Sequence, residues 1–249
     1  KFPPPEIDGL AKEKSWKEAE PFQVGVKGAS GRFDVTISAL WGDGTVYFLV
    51  QWPDKNASVE HHPWRWSEET GEYVVDKAVE DALALQFSRE GKLGDCMLSG
   101  RPVEADLWYW RAARTNPAGF ADDETLTVST KRIPKANFYQ ASNKMTVWVK
   151  EKRDAGTSPY RSQVAGTFEG ETVRRYVARP PTKSAADIRA RGIWEQGMWT
   201  VEFARKTDTG DPVDVVFAPG EDRYFSLAVF NGRERSEHST SGERLLRLK

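Results

Sequence analysis

DCMLSGRPVEADLWYWRAARTNPAG, residues 95–119, is the stretch from which the fold is read. Inside it, Asp106-Leu107-Trp108-Tyr109-Trp110-Arg111-Ala112 has the two-residue period of a strand rather than a helical period. Successive side chains of a strand leave on opposite faces, so Leu107, Tyr109 and Arg111 share one face and Trp108, Trp110 and Ala112 the other. Cys96, the one cysteine of the chain, and Met97 stand just ahead of this strand. A soft sulfur ligand beside a tryptophan-rich wall is a candidate rim for a flat apolar cofactor. The other half of such a site has to come from elsewhere in the chain.

Outward from this stretch the same alternation recurs. Residues 81–87 (DALALQF) lie before it, and 45–52, 32–40 and 22–27 before those. Trp41-Gly42-Asp43-Gly44 places an Asp-Gly hairpin signal between two of these runs. After it come strand patterns at 126–132, 146–150, 172–178, 198–205, 213–217, 224–231 and 245–248. Two segments read as helices. Residues 10–20 would turn Trp16 and Ala19 inward. Residues 184–196 (SAADIRARGIWEQ) carry Ser184 and Asp187 in the spacing of a capping box. Residues 54–80, which include His61-His62, and much of 115–145 read as irregular. Many short strands with frequent turns and two short helices predict an all-β, antiparallel β-sandwich, a single domain over 1–249.

Composition narrows the function. The formal net charge is -1, which argues against nucleic acid or an anionic membrane as the main partner. No run of about 20 apolar residues is present, so no membrane-spanning helix is expected. A single cysteine excludes an internal disulfide and a C-x-x-C-H haem attachment, so any haem would be held non-covalently. Lys1-Phe2-Pro3-Pro4-Pro5 has no apolar leader and is read as a mature chain after signal removal, or a trimmed one. The ten tryptophans suit either a β core or a ligand wall.

The glycines of 28–31 and 42–44 sit in hairpin turns and lack the strand–glycine–helix context of a phosphate loop. Cys96 has no nucleophile signature around it and reads as an inert thiol. Adjacent histidines in an extended loop point apart, which disfavours chelation by His61 and His62 together. His238, taken alone, is a loop histidine, and Met97 a gap-filling methionine.

A family resemblance changes that weighting. Its carriers are Asp8-Gly9-Leu10 with Trp16, Phe48-Leu49-Val50-Gln51-Trp52-Pro53-Asp54, residues 80–87, Cys96-Met97-Leu98-Ser99-Gly100, residues 106–112, residues 114–123, Gly197-Met198-Trp199-Thr200-Val201-Glu202-Phe203-Ala204-Arg205 and Phe225-Ser226-Leu227-Ala228-Val229-Phe230-Asn231. In order and spacing the chain resembles the haem b-binding γ subunits of the ethylbenzene dehydrogenase family, in the type II DMSO reductase group. The resemblance implies an electron-transfer chain, not itself catalytic, with Met97 as one axial ligand of the haem iron. The second ligand of the best-known members is a lysine late in the chain. His238 falls in that place here, a departure that leaves His238 or a lysine such as Lys249 for the role. The resemblance further implies Trp108, Trp110 and Tyr109 as walls of the ring and Arg111 or Arg114 as partners of a propionate. It implies a periplasmic location, with iron–sulfur and molybdopterin subunits and a soluble c-type cytochrome as partners. The competing expectation is a carbohydrate-binding-module-like sandwich without haem, its tryptophans exposed for stacking on sugars.

Overall fold

A computed structural model describes residues 3–94, 101–140 and 144–248. The strands among them, in chain order, are β1 (Phe22–Gly28), β2 (Gly31–Gly42), β3 (Thr45–Pro53), β4 (Trp64–Ser67), β5 (Glu72–Val75), β6 (Ala82–Ser88), β7 (Val103–Arg111), β8 (Asp122–Ser129), β9 (Asn137–Gln140), β10 (Thr146–Arg153), β11 (Tyr160–Ser162), β12 (Thr172–Val173), β13 (Tyr176–Ala178), β14 (Arg189–Glu195), β15 (Met198–Lys206), β16 (Asp222–Phe230), β17 (Ser239–Thr240) and β18 (Arg244–Arg247). One short helix, α1 (Lys14–Glu18), and two 3-10 turns accompany them.

The main sheet runs β14-β15-β3-β2-β1-β17-β16-β6-β7-β8-β10-β9, with β18 beside β17 on the edge of β16. Every pairing among the described residues is antiparallel. The path folds over on itself at β17, whose two residues pair with β1 on one side and β16 on the other. The alternation of each strand explains why the halves close. Val24 and Val26 of β1, Phe48 and Trp52 of β3, and Trp199 and Phe203 of β15 face Leu85 and Phe87 of β6, Trp108 and Trp110 of β7, and Leu227 of β16 in one core. Each such side chain contributes roughly 1.5–3 kcal/mol on burial. Ring contacts bridge the layers: Phe48 to Phe87 at 5.4 Å, Phe48 to Trp108 at 5.7 Å and Trp110 to Trp199 at 5.0 Å between centroids. The all-β sandwich expected from the sequence is the architecture observed.

The opposite faces are also covered. Over β3 and β15 the N-terminal segment is clipped by Glu202, whose carboxylate accepts bonds from Trp16 Nε1 at 2.6 Å and from the Gly9 backbone N–H at 2.5 Å. Burial pushes the Glu202 carboxyl up to about 7. Over β6, β7 and β8 lies a second apolar layer that includes Leu107, Tyr109, Leu126, Val128 and Phe230.

Three elements differ from the sequence reading. Residues 184–196 are not a helix: a 3-10 turn over Lys183–Ala186 precedes β14, and Thr182, not Ser184, stands at its N-cap. Gln196 and Gly197 both have positive φ, 51° and 83°, so they form the hairpin turn that joins β14 to β15, and Ile188, Ala190 and Gly192 alternate inward. The helix expected over 10–20 is confined to Lys14–Glu18. Residues 213–217 form no strand; the segment folds over the end of the core, with Val215 and Phe217 buried.

Candidate functional site

A cavity of about 970 Å³ lies on the outer face of the seam where β17 joins the two halves. Its wall draws on β1 (Gly25), β6 (Ala84 and Gln86), β16 (Ser226 and Ala228) and the turn at Gly242. Apart from Gln86 these residues are small, and they lie on the outer face because Val24, Leu85 and Leu227 take the inward positions of the same strands. Alternation between large inward and mostly small outward residues therefore leaves a shallow floor. The volume falls at the upper end of the range for small-molecule and cofactor sites. Lys27, Arg32 and Arg244 stand at the exposed rim, with Asp34 the acid among them.

His238 lines this cavity. Its loop, between β16 and β17, is held from both ends. The His238 carbonyl accepts a bond from the Ala29 backbone N–H at 3.1 Å. Gly28 permits that approach, since a Cβ there would fall 2.1 Å from the same carbonyl oxygen. His238 Nδ1 lies 3.1 Å from the Arg235 carbonyl, which can only accept, so Nδ1 carries the proton. In the neutral ring Nε2 then keeps its lone pair, and it has no hydrogen-bond partner among the described residues. This is the arrangement in which a histidine is held for metal ligation. The ring also packs on Phe230, 5.2 Å between centroids.

Arg235 anchors the loop to the outer face of β7 and β8. It donates to Glu124 at 2.9 Å, pairs with Glu151 at 3.0 Å, and stacks over the Tyr109 ring at 4.5 Å. Burial pushes the Glu124 carboxyl up, but the guanidinium groups of Arg111, Arg235 and Arg153 outweigh it and hold the group down at about 2. The anchor thus stays ionised at any physiological pH.

Met97 and Cys96 lie outside the described residues, as does Lys249. The last described residue before that segment, Gly94, lines the same cavity as His238 and donates to Glu243 at 2.6 Å. The remaining sequence-derived site residues are elsewhere. Trp108 and Trp110 are wholly buried between the sheets and do not line the cavity. They pack on Phe48, Phe203 and Trp199 because the core, which needed large rings on this face of β7, claims them. Tyr109 is on the cavity's side of the sheet but lies under Arg235 and Arg111, reaching His238 only through Phe230, at 5.3 Å from that ring. Arg111 is buried and spent on Asp122 and Glu124, and Arg114 on Glu80, so neither stands at the rim. The cations at the rim are Lys27, Arg32 and Arg244 instead, and these, with Phe230 and Arg235, are what the sequence reading missed. The hairpin of Lys27 and Arg32 was visible in the sequence, but its place across from residue 238 depends on a two-residue strand.

His61 and His62 form a separate feature. Their rings touch, 4.4 Å between centroids, contrary to the expectation that they diverge, because His62 has a φ of 45° rather than an extended one. Burial, with Arg114 and His62 beside it, lowers His61 to about 3. Both nitrogens of His62 have partners, at Asp76 and Glu234. Of the tryptophans, Trp41 is exposed, Trp64, Trp66, Trp148 and Trp194 are half-buried, and the rest are buried.

No curated protein matches the chain. The family model described as ethylbenzene dehydrogenase matches residues 9–241, which take in the clipped N-terminal segment, both halves of the sandwich and the His238 loop. By that match the chain belongs to the ethylbenzene dehydrogenase family.

Proposed function

We propose that the chain is the b-type haem electron-transfer subunit of a molybdenum oxidoreductase of the ethylbenzene dehydrogenase type, with Met97 and His238 as axial ligands. The observation that carries the proposal is His238 itself: Nδ1 committed to a carbonyl, Nε2 unpartnered, the residue on the wall of a cofactor-sized cavity. Three further features support it. The floor of Gly25, Ala84, Ser226 and Ala228 leaves room for a planar ring. Lys27, Arg32 and Arg244 at the rim are suited to carboxylates such as two propionates. Met97 follows Gly94 by three residues, and three residues of chain span at most about 11 Å.

The residues would divide the task as follows. His238 gives a nitrogen ligand whose orientation is set by Arg235 and Phe230. Met97 gives a thioether, which raises the potential relative to a second nitrogen. A six-coordinate haem supplies one-electron transfer and leaves no open position for substrate. Substrate chemistry is accordingly assigned to a molybdopterin partner chain, with an iron–sulfur subunit delivering electrons and a soluble c-type cytochrome receiving them, in the periplasm.

Purified from cells replete in haem, the full chain should contain one non-covalent haem b, giving a pyridine haemochrome and a low-spin reduced spectrum. Met97→Ala should convert that spectrum to a high-spin or five-coordinate form. A colourless protein that takes up no added haemin would refute the assignment, and a glycan-binding screen of that protein would then test the carbohydrate-module reading.

A further inference from the structure

The inner face of β7 and β8 holds a concentration of acid with one cation. Asp106 of β7 and Asp123 of β8 point between the sheets, beside Trp108. Asp214 comes from the segment that covers this end. One carboxylate oxygen from each of the three lies within 4.8 Å of the others. Asp154, just after β10, is a further acid nearby, outside that group of three, and its charge acts on Asp123. The cation is Arg205, which donates to Asp106 Oδ2 at 2.6 Å and lies 3.7 Å from Asp214.

Most of these acids are half satisfied in a consistent way. Asp106 Oδ2 is held by Arg205 and the Val215 N–H, Asp154 Oδ1 by Thr125, and Asp214 Oδ2 by Thr209. Asp106 Oδ1 and Asp154 Oδ2, each the second oxygen of its carboxylate, are buried without a hydrogen-bond partner among the described residues. Asp123 is the separate observation. It is 2% exposed, and neither of its carboxylate oxygens has a hydrogen-bond partner among the described residues. A buried carboxylate left with no donor at all costs several kcal/mol unless it is neutralised or ligates a metal. Burial, and then the charges of Asp106 and Asp214, push its carboxyl well above the usual range. Arg205 meets Asp106 and does not reach Asp123 by any hydrogen bond or ion pair among the described residues.

From this we infer that Asp123, with Asp106 and Asp214, binds a divalent cation, Ca²⁺ by preference, between the sheets beside β7 and β8. Oxygens bound to one Ca²⁺ at about 2.4 Å lie no more than about 4.8 Å apart, and the three carboxylates are close enough together to meet that condition. An all-oxygen, carboxylate-rich set without fixed octahedral geometry suits Ca²⁺ better than Mg²⁺, which holds on to its waters. The ion would tie the paired strands β7 and β8 to the segment of Asp214, which belongs to neither.

The test uses the full chain, stripped with EDTA and desalted, titrated with CaCl₂ and separately with MgCl₂ by calorimetry, and melted with and without Ca²⁺. One Ca²⁺ per chain is expected, with Mg²⁺ binding at least about tenfold weaker, and at 100-fold excess over the dissociation constant the melting temperature should rise by about 5–10 °C. Asp123→Asn should abolish binding and the Ca²⁺-dependent rise while melting no lower than the wild type in EDTA, since it removes repulsion without changing shape. Should Asp123→Asn fail to fold, Asp214→Asn, in the segment outside the sheet, should weaken Ca²⁺ at least about tenfold. A wild-type chain whose melting is the same in millimolar Ca²⁺ and in EDTA, with no heat of binding, overturns the site and leaves the acids to share protons. An unchanged Ca²⁺ response in both variants overturns it too.

Discussion

Gly28→Ala tests how the fold sets the position of His238. The added Cβ would fall 2.1 Å from the His238 carbonyl oxygen and 2.8 Å from Ser239 Cα, where ordinary contact begins at 3.4 Å. The obstruction is backbone, so no rotamer change relieves it, and one strand has to retreat by about 1.3 Å. That retreat breaks the Ala29 N–H to His238 carbonyl bond and the short pairing of Lys27 and Gly28 with β17, and it strains the Ser239 to Gly31 bond. Two or three bonds at about 1 kcal/mol each, with added overpacking, give about 2–4 kcal/mol. For a chain of this size that lowers the melting temperature by roughly 5–15 °C. The same displacement carries His238 with it, so the visible spectrum of the haem-loaded protein should change along with stability. Gly42→Ala is the control: a Cβ there meets nothing within 4 Å, and its melting should stay within about 1 °C of the wild type. If Gly28→Ala melts with the wild type and keeps its absorption spectrum, the β1–β17 contact does not position His238, and the reasoning fails.

Other perturbations probe separate parts of the account. Gly192→Ala places a Cβ 2.4 Å from Trp110 Cζ2, inside a cluster that includes Trp52 and Trp199; overpacking of about 3 kcal/mol is expected, read as a lowered midpoint in urea with little change of slope. Trp108→Phe should lower the melting temperature and leave the haem spectrum alone, because the indole is in the inter-sheet core, whereas a shifted spectrum would restore it as a wall of the site. Burial raises Asp81 from 3.8 and Glu202 from 4.5, each to about 7. The folded chain therefore binds more protons than the unfolded one between about pH 4 and 7, so these groups stabilise fully below that window and less as pH rises through it. Calorimetry in a chelating buffer should show a lower melting temperature at pH 8 than at pH 5, with Glu202→Gln removing part of the difference; a flat profile in that window contradicts the burial argument.

Most of the fold was legible because the strands alternate strongly. Residues 106–112 gave a strand that the structure carries as Val103–Arg111. The same stretch did not show which of its faces lies toward the cavity. Both faces of β7 are largely buried, so period alone did not say which face meets the opposite sheet. Trp108 and Trp110 went to the core because Phe48, Phe203 and Trp199 approach from sequence-distant strands. Residues 184–196 passed for a helix since Ser184 and Asp187 mimic a cap, while the Gln196-Gly197 turn that makes them a hairpin with β15 was the stronger signal. His238 was legible only by family position, and the structure adds what sequence could not: a two-residue strand, a close-approach glycine and an arginine anchored to Glu124 and Glu151 bring that histidine to the cavity.

The most direct measurement is the reduced and oxidised absorption spectrum of the haem-loaded chain with His238 replaced. In wild-type protein a low-spin, six-coordinate spectrum is predicted at one haem per chain. His238→Ala should lose it, with added imidazole restoring low-spin character through the vacated position, while Arg235→Ala should leave a nitrogen ligand but broaden or shift the bands. A His238→Ala protein that binds haem with the wild-type low-spin spectrum would contradict the central claim and hand the second ligand to a lysine.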